Sequence, residues 1–314
     1  MRFKQKIGIF GYGSQGRAHA LNLRDAGYDV KVANKKNDIY ARQIKKDKFK
    51  IYNFQDVAKE ADVIFILLPD YLHKKIFENF IYKYSKKSTI IIIAHGYSIY
   101  FKEIKIDKRF NWYMLAPRYP GIILREKFIK NRKILNFHSI IYQESKKFEK
   151  IFKNVVKNIN YILDKKYRIS FKEETELDLF IEQYTIPKII SAIEESFEFL
   201  VKKGFNPVTT LTDIHASGEI SELLYKSRKI GIHQIWKKIA SPTCRYGIFR
   251  ELKKYNTQSS YIKMNKVFKN IKKGNFNKSL NKEFKKNLKN LIKFDQKNNK
   301  SFFYKTLRTI NKNY

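Results

Sequence analysis

Through the first half of the chain, short apolar runs alternate with polar breaks. Through the second half, apolar residues recur at intervals of three and four. Residues 6–10 (Lys-Ile-Gly-Ile-Phe) predict a short buried strand, followed by a glycine-rich turn and an amphipathic run to Ala26, with Gly27 as the helix stop. Residues 28–33 alternate as a second strand. Residues 63–68 and 90–94 are uninterrupted apolar runs, the pattern of parallel strands covered on both faces, and residues 74–84 between them predict a helix. From Phe171 the pattern is helical throughout, with no further strand and few Gly or Pro. Even the basic tail fits, because Phe268, Ile271, Phe276, Leu280, Phe284 and Leu288 keep helical spacing. Strands alternating with helices, then helices alone, predict an α/β chain: a doubly wound parallel sheet over residues 1–168 and an all-helical domain over 169–314.

Composition changes this picture mainly by contrast. Lys+Arg number 66 against 29 Asp+Glu, a formal net charge of +37. Hydrophobic residues at 43% still supply enough apolar surface for packed cores, which excludes wholesale disorder. The excess is mostly lysine spread over every segment, so it reads as a solvated surface and predicts no specific nucleic-acid partner, although a basic nucleic-acid-binding protein remains an alternative. The longest apolar runs are far shorter than the roughly 20 residues of a membrane span. A single cysteine, Cys244, excludes a disulfide framework or a multi-cysteine metal site and is expected to be a packed thiol. The chain runs from Met-Arg-Phe-Lys straight into a strand, which predicts a cytoplasmic protein without a cleaved leader.

Two segments carry candidate chemistry. Gly11-Tyr12-Gly13-Ser14-Gln15-Gly16 lies between a strand and a helix, the arrangement that binds a dinucleotide pyrophosphate. Gly11 permits the turn, Gly13 admits the pyrophosphate, and Gly16 lets helix and strand pack closely. These features make the first domain Rossmann-type. The second strand ends in Asn34-Lys35-Lys36 without an acidic residue, so Lys35 and its neighbour point to a 2′-phosphate and hence NADPH. The other segment crowds Glu173, Glu174, Glu176, Asp178 and Glu182 into ten positions of a lysine-rich chain. Asp178 and Glu182, at i and i+4, share one helix face and suit a hard divalent cation such as Mg²⁺. His215, Glu219 and Glu222 form a second group at helical spacing.

With these residues in place, the chain resembles ketol-acid reductoisomerase (acetohydroxyacid isomeroreductase) in its short form with one helical domain. The resemblance rests on residues 11–23 (GYGSQGRAHALNL), 67–70 (LLPD), 94–97 (AHGY), 116–121 (APRYPG) and 171–183 (FKEETELDLFIEQ), in order from residue 6 to about 250. It implies an NADPH- and Mg²⁺-dependent enzyme of branched-chain amino-acid synthesis. Such an enzyme shifts an alkyl group in a 2-acetolactate-type acid and then reduces the product to a dihydroxy acid. It also implies a small acetohydroxy-acid substrate, a helical dimerisation domain, and a homodimer or higher homo-oligomer with a shared active site. By resemblance, His95 and Arg118 are catalytic, Gly121 joins the cofactor loop, and Ser241 binds substrate. Asp178, Glu182, Glu219 and His215 would ligate two Mg²⁺ ions. The chain departs from the family in having Arg118 for a lysine, Tyr119 for a glycine and His215 for a glutamate. An alternative alignment of that last pair uses Asp213 and Ser217. These departures motivate a second reading, a diverged NADP-dependent keto-acid reductase without isomerisation.

Overall fold

A computed structural model describes residues 3–255 and 257–311, so the outer ends of the two expected domains, residues 1–2 and 312–314, lie outside the described residues. The chain divides into two units, Met1–Leu177 and Asp178–Tyr314.

The first unit is built on one sheet. Its strands are β1 (Lys6–Phe10), β2 (Asp29–Ala33), β3 (Ile51–Tyr52), β4 (Val63–Ile66), β5 (Ile90–Ile93), β6 (Asn111–Pro117) and β7 (Asn136–Tyr142). They lie in the order β3-β2-β1-β4-β5-β6-β7. All neighbours are parallel except β6 and β7, so the expected parallel sheet carries one antiparallel edge strand. Strand direction of propagation reverses between β1 and β4, the switch point where ligands gather in such sheets.

Period-two alternation explains the uninterrupted apolar runs. Ile7, Ile9, Phe65, Ile90 and Ile92 face one core with Ala20, Leu23, Phe152 and Val155. Phe10, Ile64, Ile66, Ile91 and Ile93 face the opposite core with Val57, Ile76, Phe77 and Trp112. Every residue of β5 is at most 1% exposed, and each such isoleucine contributes roughly 1.5–3 kcal/mol of burial. The helix Ser14–Asp25 stops as the sequence predicts. Gly27 takes φ +98°, its N–H reaches Arg24 O, and Tyr28 N–H reaches Leu23 O, closing a Schellman motif. The helix expected over 74–84 begins earlier and changes character: Asp70–Ile76 is α-helical, Phe77–Ile81 is a π turn, and Tyr82–Tyr84 follows.

The second unit is helical among the described residues, from Ile186–Lys202 to Phe302–Asn311. One of its cores joins Phe197, Leu211 and Ile310 with Val201, Ile214, Phe303 and Leu307. The tail is not one periodic run. Gly274 (φ +71°) separates Gln258–Lys272 from Asn275–Lys285, and Leu288 is itself a left-handed cap (φ +58°), not a packed helical position. No helix of the described residues is long and apolar enough to cross a membrane.

His19, in the helix after the glycine loop, is 2% exposed and wedged between the Gln15 carbonyl (2.8 Å from Nδ1) and the Tyr161 hydroxyl (2.8 Å from Nε2). Burial lowers its pKa to about 4, against a slight opposing pull from Gln15. The unfolded chain therefore takes up this proton first. Stability is complete above pH 6.5 and falls as pH drops toward 4, by up to about 3 kcal/mol from this residue. Thermal unfolding across that window should show the loss, and His19→Gln should flatten it while lowering stability at neutral pH.

Candidate functional site

The glycine loop follows β1 at the carboxyl edge of the sheet. Gly11 has φ +97°, and a Cβ there would stand 2.7 Å from the Leu67 carbonyl oxygen. A Cβ on Gly16 would overlap the Gly11 carbonyl oxygen, and one on Gly121 would overlap the Ser14 carbonyl oxygen. Gly13, by contrast, faces open space up to the Tyr40 hydroxyl, 3.8 Å away. The 119–121 segment docks on this loop: Gln15 Nε2 donates to Tyr119 O (3.0 Å), and Gly121 N–H donates to Ser14 Oγ (3.0 Å). Gln15 Oε1 is buried without a hydrogen-bond partner among the described residues. A tight cradle with one open glycine and a helix N-terminus fits a dinucleotide pyrophosphate, whereas the orphaned Gln15 acceptor suits a donor such as a hydroxyl. Tyr12 lies under the loop, 2% exposed, with its hydroxyl donating to Asp47 (3.0 Å), so it supports the turn from the core side. Arg17 clamps the same carboxylate through Nε (2.6 Å) and Nη2 (2.9 Å). Lys35 is exposed just beyond β2.

The second cluster forms after β4 and β5. His95 Nε2 lies 3.1 Å from Asp70 Oδ1, and the His95 side chain is 32% exposed. Tyr97 N–H donates to His95 Nδ1 (3.3 Å), which assigns the ring proton to Nε2. Behind them, buried His73 accepts from Ser98 Oγ at Nδ1 (2.7 Å) and donates from Nε2 to Leu68 O (2.8 Å). Burial pushes His73 below the ordinary histidine range, so it is neutral near pH 7. Burial also resists ionising Asp70, but the His95 contact and the two imidazoles outweigh it and hold the carboxyl low. Sequence reasoning missed Asp70 and His73. Asp70 stood in a matched motif, Leu-Leu-Pro-Asp, but nothing local shows that its carboxylate meets a histidine after the next strand.

Arg118 and His95 are linked by a residue of the acidic cluster. Glu174 is 0% exposed; Gly96 N–H donates to its Oε2 (2.9 Å), and Arg118 Nη2 donates to its Oε1 (3.0 Å). Gly96 is compelled here, since a Cβ would overlap the Phe171 carbonyl oxygen at the start of the helix bearing Glu174. Arg118 also lies over the Phe137 ring (4.8 Å). Tyr119 has no left-handed backbone, which is why a non-glycine residue is accepted there. Glu176 accepts from the Tyr100 hydroxyl (2.7 Å), so Glu174 and Glu176 are held by specific partners, while Glu173 and Glu182 are exposed.

The expected metal ligands lie on separate elements. Asp178 is in the last turn of the helix Phe171–Phe180 and Glu182 in the π segment Ile181–Thr185 that follows; both are hard oxygen donors of the kind that suits Mg²⁺. Among the described residues no group of three His, Cys, Asp or Glu is placed to hold a metal ion. His215 and Glu219 do not share a helix as their spacing suggested. His215 lies in the π turn Thr212–Ala216, packed near the Phe303 ring (6.1 Å), while Glu219 starts a new helix after Gly218, whose φ of +77° breaks the period. Ser241 is exposed at the start of the helix Pro242–Tyr255, where its Oγ accepts from Cys244 N–H (3.3 Å). Cys244 is exposed rather than packed, because that helix buries no residue fully within the chain.

Two family models cover nearly the whole chain: acetohydroxy acid isomeroreductase, NADPH-binding domain, over residues 3–161, and ketol-acid reductoisomerase, C-terminal domain, over residues 171–313. The chain belongs to the ketol-acid reductoisomerase family. It is 31% identical to the ketol-acid reductoisomerase (NADP(+)) of Xanthomonas oryzae pv. oryzae over 293 residues, 93% of this chain and 87% of that protein. It is also 31% identical to the Helicobacter pylori protein of the same name, over 87% of this chain and 82% of that one. Its fold matches the solved structure of an NADH-preferring ketol-acid reductoisomerase from an uncultured archaean with TM-score 0.90 and 23% identity, covering 99% and 95% of the two chains. The family acts in branched-chain amino-acid biosynthesis, and these curated relatives are NADP(+) enzymes.

The ion pair of Arg118 with buried Glu174 yields a direct expectation. Arg118→Ala leaves the carboxylate without this partner and should cost about 2 kcal/mol, discounted from the 3–5 of a fully buried pair because Arg118 is partly exposed. Arg118→Lys should recover part of it, and denaturant unfolding of the three proteins measures the order.

Proposed function

We propose that this chain carries out the full ketol-acid reductoisomerase reaction on 2-acetolactate-type acids. The observation that carries the reading is Glu174, a buried carboxylate joining the His95 turn to Arg118 on the helix that, one turn later, presents Asp178. The substrate loses a proton from its 2-hydroxyl as the alkyl group moves from C2 to the C3 carbonyl carbon, whose oxygen takes up a proton. Hydride and a second proton then reduce the new C2 ketone to a 2,3-dihydroxy acid. When bound, Mg²⁺ at Asp178 and Glu182 would polarise the carbonyl and stabilise the alkoxide, and NADPH would supply the hydride.

The chain's own groups divide the remaining work. The Arg118 guanidinium does not release its proton near neutral pH, so it orients anionic substrate oxygens and steadies Glu174. His95, with Nε2 3.1 Å from Asp70 Oδ1, is placed to pass a proton, the role its family counterpart is assigned by resemblance. The glycine cradle and Gly121 hold the pyrophosphate. Ser241 would serve the substrate, and Asp178 and Glu182 would hold the metal, with further ligands supplied from outside this pair. Support for a homo-oligomer comes from the helical unit, where Ile186, Ile189, Ile190, Phe199, Tyr246 and Phe249 are each at least 45% exposed in the single chain.

The reaction is tested by following nicotinamide absorbance with 2-acetolactate, NADPH and Mg²⁺. Turnover is expected, and Asp178→Asn should abolish it while leaving NADPH affinity within about twofold of the parent, since the cofactor lies in the other unit. Reduction of 3-hydroxy-3-methyl-2-ketobutyrate without turnover of acetolactate would instead establish the diverged reductase, to which the arginine at position 118 points. No turnover of either acid overturns both.

A further inference from the structure

The end of β2 offers lysines and no acid in the sequence, yet the structure folds an acid back onto it. Residues 35–38 form a turn in which Asp38 N–H donates to Lys35 O (3.2 Å). Asn34 Nδ2 then donates to Asp38 Oδ1 (3.2 Å), and Tyr40 N–H donates to the same oxygen (2.9 Å). Asn34 is buried, 7% exposed, and directly follows Ala33, whose carbonyl accepts the Gly11 N–H (3.2 Å). One buried side chain thus ties the Asp38 carboxylate to the strand end beside the first glycine of the cradle. Two residues on, the Tyr40 hydroxyl stands 3.8 Å from where a Cβ of Gly13 would be, so the 38–40 segment overhangs the loop. Both hydrogen bonds to the carboxylate among the described residues fall on Oδ1, and Asp38 is half-buried.

In dinucleotide-binding folds the acid that accepts from the adenosine ribose 2′-hydroxyl stands at this edge, about 20 residues beyond the glycine loop. We propose that Asp38 occupies that position and that this chain accepts NADH alongside NADPH. The inference rests on the reading of the glycine cradle as the cofactor site. The carboxylate accepts a hydrogen bond from a 2′-hydroxyl and repels a 2′-phosphate. Lys35 and Lys36, exposed and hydrated, offset that repulsion only in part. The rival role, a turn-forming aspartate, needs only the Oδ1 contacts, and asparagine supplies those equally well.

The test is direct titration of the purified full-length protein with NADH and with NADPH, read by nicotinamide fluorescence. The parent and its Asp38→Asn and Asp38→Ser variants are compared, with circular dichroism as the check on folding. The parent is expected to bind the two cofactors within about tenfold of each other. Both variants should shift the ratio toward NADPH by about tenfold, mainly through tighter NADPH binding, as removal of one nearby like charge predicts. A parent preference for NADPH beyond about a hundredfold, or a ratio that moves less than about twofold in both folded variants, overturns the role of Asp38. Binding of neither nucleotide overturns the cradle reading itself and this inference with it.

Discussion

Backbone touching backbone around the glycine loop is the constraint on which the rest of the first unit depends. The Gly11 carbonyl lies where a Cβ of Gly16 would be, and the Ser14 carbonyl lies where a Cβ of Gly121 would be. These approaches draw the N-terminus of the helix Ser14–Asp25 onto the end of β1 and bring the 119–121 segment from across the sheet onto the same turn. The carboxyl edge of the switch point becomes a narrow cradle whose only relief is at Gly13. A methyl group at Gly11 or Gly121 would push apart elements distant in sequence, and one at Gly16 would push the helix off the strand, so local sterics set tertiary geometry and the mouth of the cradle together.

A second constraint is electrostatic. Glu174 has no water contact, so its charge is satisfied by the Gly96 N–H and the Arg118 guanidinium. The same carboxylate fixes the turn after His95 and the planar fork of Arg118. An arginine at this position therefore leaves the acid paired. His73, neutral and bonded at both nitrogens, keeps the wall behind the His95–Asp70 contact fixed.

The charge of +37 is a background on which such exceptions stand out. Exposed lysines occur in both units, and a surface so charged attracts small anions with a strength that salt damps. Several of the acidic residues in this setting have specific partners: Asp47 with Tyr12 and Arg17, Glu174 with Arg118, Glu176 with Tyr100, Asp38 with Asn34.

The sequence by itself determined the strand–glycine–helix start, the central strands, the change to helix after Phe171 and the family. Each is written in local periodicity or in an ordered motif: the two-residue alternation of buried strands, the Schellman stop at Gly27, the spacing of Gly11, Gly13 and Gly16. Other features depend on chain that returns from far away. The antiparallel β7 edge lacks the uninterrupted apolar run of the central strands. The meeting of Asp70 with His95 and of Glu174 with Gly96 and Arg118 joins residues separated by whole strands and helices. Helical spacing misled where one residue ended the period, as Gly218 does between His215 and Glu219 and Leu288 does in the tail. Asp38 was passed over because four residues separate it from Asn34 along the chain, and only the turn between them returns its carboxylate to the strand end. Periodicity records which face a residue occupies, and it holds no term for which charged group waits across the fold; burial of that charge, which must find a partner or remain in water, makes the choice.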